Sequence, residues 1–417
     1  MSTAFSNALS GLNANSLAID AVSGNLANLN TTGYMTNQVS FNDLLSGNVN
    51  SQAGTSVSGS VVAQTASQFS QGSIQTTSQP YDAAIQGNGF FVLNATDGQQ
   101  AFTRAGNFTV DASGNLLGAG GGNVQGWNAV NGVLTTSGAT SSITLPVSGA
   151  DKPIATANFS VSANLNANAA SGAAFSSPIT VYDAEGNAHT LTVTYTQAST
   201  AGTPNTWNYN VTIPAADVGG TGAPTSLANG SLTFDGTGTL SSPLASAGPV
   251  AIQITGLADG ASDMNLNWNL YDASGTPSVT QYAETSANLA STQDGSAAGQ
   301  LTGTSIGANG QISATYSNGS TVVVAQLALA SILNPDSMDN LGNNTFGATA
   351  ATANPVIGVA NTGSRGQITG GALESSTVDI ATEFTNLLTY ERGYQADSKV
   401  ITTEDDITQS TVSLIQG

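Results

Sequence analysis

Cysteine is absent from this 417-residue chain, which excludes disulfides, thiolate nucleophiles and Cys-ligated zinc. Cations are scarce: five Lys and Arg stand against 25 Asp and Glu, for a net charge of -20. So few cations cannot line a groove for a polyanion, and nucleic acid is excluded as a partner. An acidic surface of this kind serves solubility. There is one histidine, His189, so a Ser-His-Asp site would have to centre on it. It follows a turn, in Asn187-Ala-His-Thr-Leu191, with Asp183 and Glu185 nearby. That context suits a hydrogen-bonded strand residue better than a general base. Glu404-Asp405-Asp406 could supply paired carboxylates for glycoside hydrolysis, but they fall on a helix expected to face solvent or a neighbouring subunit. No catalytic constellation stands out, and no enzyme activity, cofactor or metal site is expected. No run of about eighteen apolar residues occurs, so membrane insertion is not expected. The first residues lack the cationic and apolar regions of a secretory leader, so no cleaved signal peptide is expected.

What the chain does have is a seven-residue rhythm at both ends. Ile380, Leu387, Tyr394, Ile401, Thr408 and Ile415 recur without a gap, flanked by Phe384, Leu388 and Val412. Such a row winds slowly around an α-helix and wants a long partner. Ser376, three residues before Asp379, resembles a capping-box start, which predicts a helix from about Thr377 to Ile415, roughly 58 Å long. Phe5, Leu12, Ile19 and Leu26 form a matching line near the N-terminus, and Ala8, Asn15, Val22 and Leu29 a second. Asn30-Thr31-Thr32-Gly33 reads as the stop, with Gly33 free to turn left-handed.

Between the ends the pattern is β. The expected fold class is multidomain: long, paired, coiled-coil-like helical termini plus two mainly-β domains of sandwich or barrel type, nested in a loop-back topology. Residues 1–36 form the N-terminal helix, pairing with 375–417, and 37–78 an extended connector. Residues 79–147 with 298–374 make a discontinuous first β domain, and 148–297 an inserted outer one. Expected outer strands are Ile179–Tyr182, His189–Tyr195, Trp207–Ile213, Leu232–Phe234, Ala251–Ile254 and Asn265–Leu270. Thr285–Ala298, poor in apolar residues, reads as a seam. The glycines around Asn88 have no helix or lysine after them, so a hairpin turn is favoured over a phosphate loop. Asp-Ala-x-Gly recurs at Asp111, Asp183 and Asp272. Calcium would need six to eight converging oxygens, so a turn capped by the Asp side chain is the better reading.

At the ends the sequence becomes recognisable. Ser23-Gly-Asn-Leu-Ala-Asn-Leu-Asn-Thr-Thr-Gly-Tyr34 and Glu383-Phe-Thr-Asn-Leu-Leu-Thr-Tyr-Glu-Arg-Gly-Tyr-Gln-Ala396 resemble the terminal signatures of the bacterial flagellar rod and hook proteins. Gly87-Asn-Gly-Phe-Phe91, Phe102-Thr-Arg-Ala-Gly-Asn-Phe108 and Gly370-Gly-Ala-Leu-Glu374 are similar to further motifs of that family. The long middle insertion, including Thr180-Val-Tyr-Asp-Ala-Glu-Gly-Asn-Ala-His-Thr190, resembles its hook-type members. Gly393 departs from a helix-forming pattern, at a cost of about 1 kcal/mol. The resemblance implies a homopolymer forming a curved, torque-transmitting tube at the cell exterior. It also implies contacts with the flagellar rod, the hook cap, the hook–filament junction proteins and a type III export apparatus. Self-assembly would then fall to Phe5, Leu12, Ile19, Val22, Leu26, Leu29, Ile380, Phe384, Leu387, Tyr394, Ile401 and Ile415. Asp20 would pair with Arg392 or Lys399, within or between subunits. The other readings are a distal-rod protein, which should lack the middle insertion, and a secreted adhesin or glycan-binding β protein. The latter leaves the paired heptads unexplained.

Overall fold

A computed structural model describes residues 3–44, 60–95, 98–130, 132–200 and 205–416. The chain is mostly β-sheet with one helix at each end: α1, Thr3–Ala27, and α2, Ile380–Gln416. Contacts divide it into two compact units, Met1–Val147 with Gly303–Ala314 and Thr321–Gly417, and Ser148–Thr302 with Thr315–Ser320.

In the first unit the β core is built on Phe90–Asn94, which pairs with Gln100–Thr103 and Asn123–Asn128. The late strand Thr321–Leu327 returns to pair with Asn123–Asn128. Phe91, Leu93, Leu116, Ile143 and Leu327 fill the interior, each essentially without exposure. The turn at Asn88 differs from a hairpin. Ala83–Gln86 pairs with Gln367–Gly370, whereas Phe90–Asn94 joins the other sheet. Gly87 and Gly89, at φ 98° and 128°, redirect the chain between the two, and the Gly366 amide caps the Asn88 carbonyl at 2.6 Å.

The expected connector is, over its described parts, an antiparallel ladder of Asn37–Leu44 against Ser60–Ser67. Its half-buried positions include Val39, Val61 and Ala63, with Gln38, Val62 and Gln64 exposed. This period-two burial lays one face of the ladder on α1, where the Val61 amide donates to Ser10 Oγ at 3.1 Å. The Ser- and Gln-rich composition hides that alternation in the sequence.

The second unit is a sandwich. One sheet runs Ala174–Tyr182, Ala188–Gln197, Thr206–Ile213, Thr225–Phe234, Leu240–Ser242, and the other is centred on Asn158–Asn164 and Met264–Trp268. Inward residues of both share one core around Trp207, Trp268, Tyr195 and Phe159. The expected seam at Thr285–Ala298 is instead an edge strand, Ala287–Gln293, paired with Asn158–Asn164. It is exposed along almost its whole length, so it carries no apolar signature.

The Asp turns share one geometry. Asp111 Oδ1 accepts from the amides of Ser113 and Asn115, each at 2.8 Å, and Asp272 Oδ1 from those of Ser274 and Thr276. A further copy begins at Asp235, whose Oδ1 accepts from the Thr237 and Thr239 amides. Gly236 replaces the alanine there, which hid it. The Asn115 side chain and amide hold the Asp111 carboxyl below its ordinary range, and the Thr237 hydroxyl with the Thr239 amide does the same for Asp235. A carboxyl depressed in the folded state contributes stability above its unfolded value, about 3.9, and loses it as pH falls through the folded value. The turns' contribution to stability in thermal melts should therefore be constant from about pH 7 to 5 and fall away below about pH 4. Asp235→Asn should flatten that decline, and an unchanged acid limb would count against the turn's role.

Candidate functional site

The two helices run antiparallel along a seam of small and polar residues. Asp379 caps α2, its Oδ1 accepting the Thr382 amide at 2.8 Å, so the helix starts later than a Ser376 cap would place it. The Ser376 hydroxyl reaches only the Val378 amide, at 3.3 Å, and the carboxylate of Asp379 is the stronger acceptor. At one end of the seam Asn25 is fully buried. Its Nδ2 donates to Glu383 Oε1 at 3.1 Å and to the Asn37 carbonyl at 2.9 Å, while its Oδ1 accepts from the Asn37 amide and the Tyr34 hydroxyl. Burial pushes the Glu383 carboxyl up, with the Asn25 bond opposing it, and Glu383 Oε2 has no hydrogen-bond partner among the described residues.

Further along, Asn15 Nδ2 donates to Asp397 Oδ2 at 3.0 Å. Glycines set the approach there: a Cβ on Gly11 would lie 2.6 Å from Asp397 Oδ2, and one on Gly393 would lie 2.9 Å from Asn15. The unfavourable helix residue Gly393 thus stands, with Gly11, at a close approach of the two helices. An open groove of 770 Å³, lined by Ala8, Ala14, Phe41, Val61, Tyr390 and Val400, flanks it.

Because polar residues make the seam, the apolar row lies elsewhere. At 3.6 residues per turn, Ile380, Phe384 and Leu388 stand roughly a third of a turn from Glu383, Tyr390 and Asp397. They are 47%, 49% and 56% exposed, and Tyr394 is 38% exposed. A strict heptad drifts about 20° per repeat around a straight helix. The row therefore begins outward at Ile380 and reaches the half-buried seam side only at Leu387 and Ile401. The side chain of Ile415 lies outside the described residues. On α1, Phe5, Leu12, Ile19 and Leu26 are half-buried and Val22 is buried, and Leu29, in the turn after the helix, is half-buried. At 1.5 Å per residue α2 is about 55 Å long against about 37 Å for α1, so its last turns overhang. Residues 405–413 are all exposed. Among the described residues no ion pair joins Asp20 to Arg392 or Lys399 within the subunit.

The remaining motifs converge where the helices meet the β core. Arg104 and Glu374, 5% and 0% exposed at their side chains, pair at 3.2 Å. Arg104 Nη2 also donates to the Gly87 carbonyl at 2.7 Å, and Glu374 Oε1 accepts the Gly72 amide. Burial pushes the Glu374 carboxyl up, against the pull of the guanidinium. Removing one partner of such a pair costs about 3–5 kcal/mol. Gly33, at φ 65°, donates its amide to the Glu374 carbonyl at 2.8 Å. A Cβ there would lie 2.5 Å from the Ala105 nitrogen, so glycine is obligatory.

Family models match in chain order: Flagella basal body rod protein at 5–34, Flagellar hook protein FlgE/F/G D1 domain at 84–196, Flagellar basal body protein FlaE D2 domain at 150–296, and Flagellar basal body rod FlgEFG protein C-terminal at 369–414. That set, with the terminal helices, defines a rod- and hook-type component of the flagellar axis. The flagellar hook protein FlgE of Borreliella burgdorferi is 31% identical, covering 97% of this chain and 98% of its own. That of Salmonella typhimurium is 31% identical, covering 98% and 99%, and that of Escherichia coli 30%, covering 99% and 100%. The crystal structure of Helicobacter pylori flagellar hook protein FlgE2 shares the fold, with TM-score 0.53 over 71% of this chain and 99% of that one at 15% identity. The chain belongs to the flagellar hook protein FlgE family.

The seam makes a prediction about its glycine. Gly393→Ala gains about 1 kcal/mol of helix propensity but displaces Asn15 from a bond to a charged partner, costing roughly 1.5–3 kcal/mol. Amide exchange over residues 383–400 should be modestly faster in Gly393→Ala and largely unprotected in Gly393→Leu. Equal protection in Gly393→Leu and the unaltered chain would show that the helices do not meet there.

Proposed function

We propose that this protein is the structural subunit of the flagellar hook, a homopolymer forming a curved tube that carries torque from rod to filament as a universal joint. The reading is carried by its end-to-end likeness to hook proteins. It is supported by the outward apolar row on α2, which a single subunit leaves uncovered. In this proposal the terminal helices are the coiled-coil-like assembly elements of a nested, loop-back chain. Export proceeds unfolded through the flagellar type III apparatus to the cell exterior. The rod, the hook cap and the hook–filament junction proteins are its neighbours. Among the described residues no helix is long and apolar enough to cross a membrane.

Energetics favour assembly as the step that fixes the helices. The two seam bonds from Asn15 and Asn25 contribute roughly 0.5–3 kcal/mol each, the upper end applying to charged acceptors. Fully burying a Phe or Leu side chain contributes roughly 1.5–3 kcal/mol, and those of the outward row stand half exposed. Phe384→Ser with Leu388→Ser should raise the critical concentration for polymerisation about tenfold or more, tenfold corresponding to about 1.4 kcal/mol. Electron microscopy of the unaltered protein under polymerising conditions should show curved tubes, and their absence would reject the reading. Asp20 is proposed to pair with Arg392 or Lys399 of another copy, fixing the stagger of packed helices. Asp20→Asn should then raise the critical concentration slightly, by an amount that shrinks in high salt.

A further inference from the structure

We propose that Asp183, His189 and Asp259 form a site for a first-row divalent metal of the Zn²⁺ type, tying together the two sheets of the sandwich. Asp183 opens the turn after Ala174–Tyr182, and His189 lies on the next strand of that sheet. Asp259 lies in the turn that joins Val250–Ile254 to Met264–Trp268 of the other sheet. One ligand atom from each lies within 4.8 Å of the other two. His189 Nε2 is 3.4 Å from Asp183 Oδ2 and 3.4 Å from Asp259 Oδ2. A charge-assisted N–H···O bond settles at about 2.7–2.9 Å, so both separations are long for direct pairing. The edge of a tetrahedron around Zn²⁺, with bonds of about 2.0–2.2 Å, spans roughly 3.3–3.6 Å. They match that edge.

The surroundings are those of a held metal ligand set. His189 Nδ1 lies 3.2 Å from Asp217 Oδ2, and in the tautomer that donates Nδ1–H to this carboxylate the Nε2 lone pair faces the other two. Asn187 Nδ2 donates to Oδ2 of both Asp183 and Asp259, at 3.1 and 3.2 Å. Asp183 Oδ1 is held by the Glu185 and Asn187 amides, and Asp259 Oδ1 by the Ala261 amide. Each carboxylate therefore has one oxygen fixed by the backbone and the other turned inward. The charge also asks for a cation: Lys152 is the only Lys or Arg between residues 148 and 302. The Asp183 side chain is fully buried and that of Asp259 is 28% exposed, which leaves one side open for the ion to enter and for water as a fourth ligand. One imidazole and two carboxylates suit Zn²⁺ and fall short of the six to eight oxygens Ca²⁺ prefers. In a chain without cysteine, such a staple would do for the sandwich what a disulfide does elsewhere.

The alternative is an imidazolium held between aspartates, needing no metal. Calorimetric titration of the chelator-treated full chain with ZnCl₂ at pH 7 separates the two. We expect one ion per chain, a raised melting temperature for the sandwich, and no comparable site for CaCl₂. Asp259→Asn and His189→Gln should abolish that site, and Asp217→Asn should weaken it about 10- to 100-fold. Should His189→Gln fail to fold, Asp259→Asn decides, because its other oxygen still caps Ala261. No Zn²⁺ binding by the unaltered chain, equal binding by Asp259→Asn, or equal binding of Ca²⁺ would each overturn the proposal.

Discussion

The contact on which this molecule depends is the polar seam between its ends. Asn25 with Glu383, Asn15 with Asp397, and the two glycines Gly11 and Gly393 bring α1 and α2 together at close range. A seam made of amides, carboxylates and hydrogen atoms has a structural consequence. It takes up few large apolar side chains, Leu387 and Ile401 reaching it only half-buried, so Ile380, Phe384 and Leu388 of α2 stay on the outside. Had the helices met through Phe384 and Leu388, the subunit would be satisfied alone. As built, it holds its helices in register and leaves an apolar surface to be covered.

The seam is anchored by charges that few chains of this composition would bury. Arg104 is one of only five cations, and it is placed in the interior against Glu374. Through Gly87, Gly72 and Gly33 that pair reaches the turn before Phe90, the segment before Ala83, and the end of the N-terminal signature. A buried pair is weak evidence for stability but a strict condition on geometry, since each partner left alone is costly. It fixes where the helices leave the β core. The motifs that made the ends recognisable are thus one constellation, with the Asn25–Glu383 contact beside it.

Much of this was legible in the sequence, for identifiable reasons. Gly33 was legible as a left-handed residue from its place after Asn-Thr-Thr, and it has φ 65°, although α1 already ends at Ala27. The sandwich strands showed because buried and exposed residues alternate, as from His189 to Gln197. Apolar periodicity found both helices yet missed the contacts that set their close approach, because a pattern of hydrophobic residues is blind to bonds among Asn, Asp and Glu and to the glycines between them. The edge strand Ala287–Gln293 was hidden for the same reason, having no buried face. Asp217 and Asp259 could not be linked to His189 from sequence, since only the sandwich fold brings together positions so far apart. A search for Asp-x-x-Gly in place of Asp-Ala-x-Gly would have found Asp235.

The central claim is that the outward face of α2 is free in the subunit and covered by other copies in the polymer. The absence of cysteine makes it directly measurable, since a single introduced thiol reports without background. In Leu388→Cys, maleimide labelling should be fast in the monomer and strongly protected in assembled tubes, while Thr237→Cys, in an exposed turn of the sandwich, should serve as the control by labelling in the monomer. Protection at position 388 already in the monomer, or equally fast labelling there in intact tubes, would contradict the account.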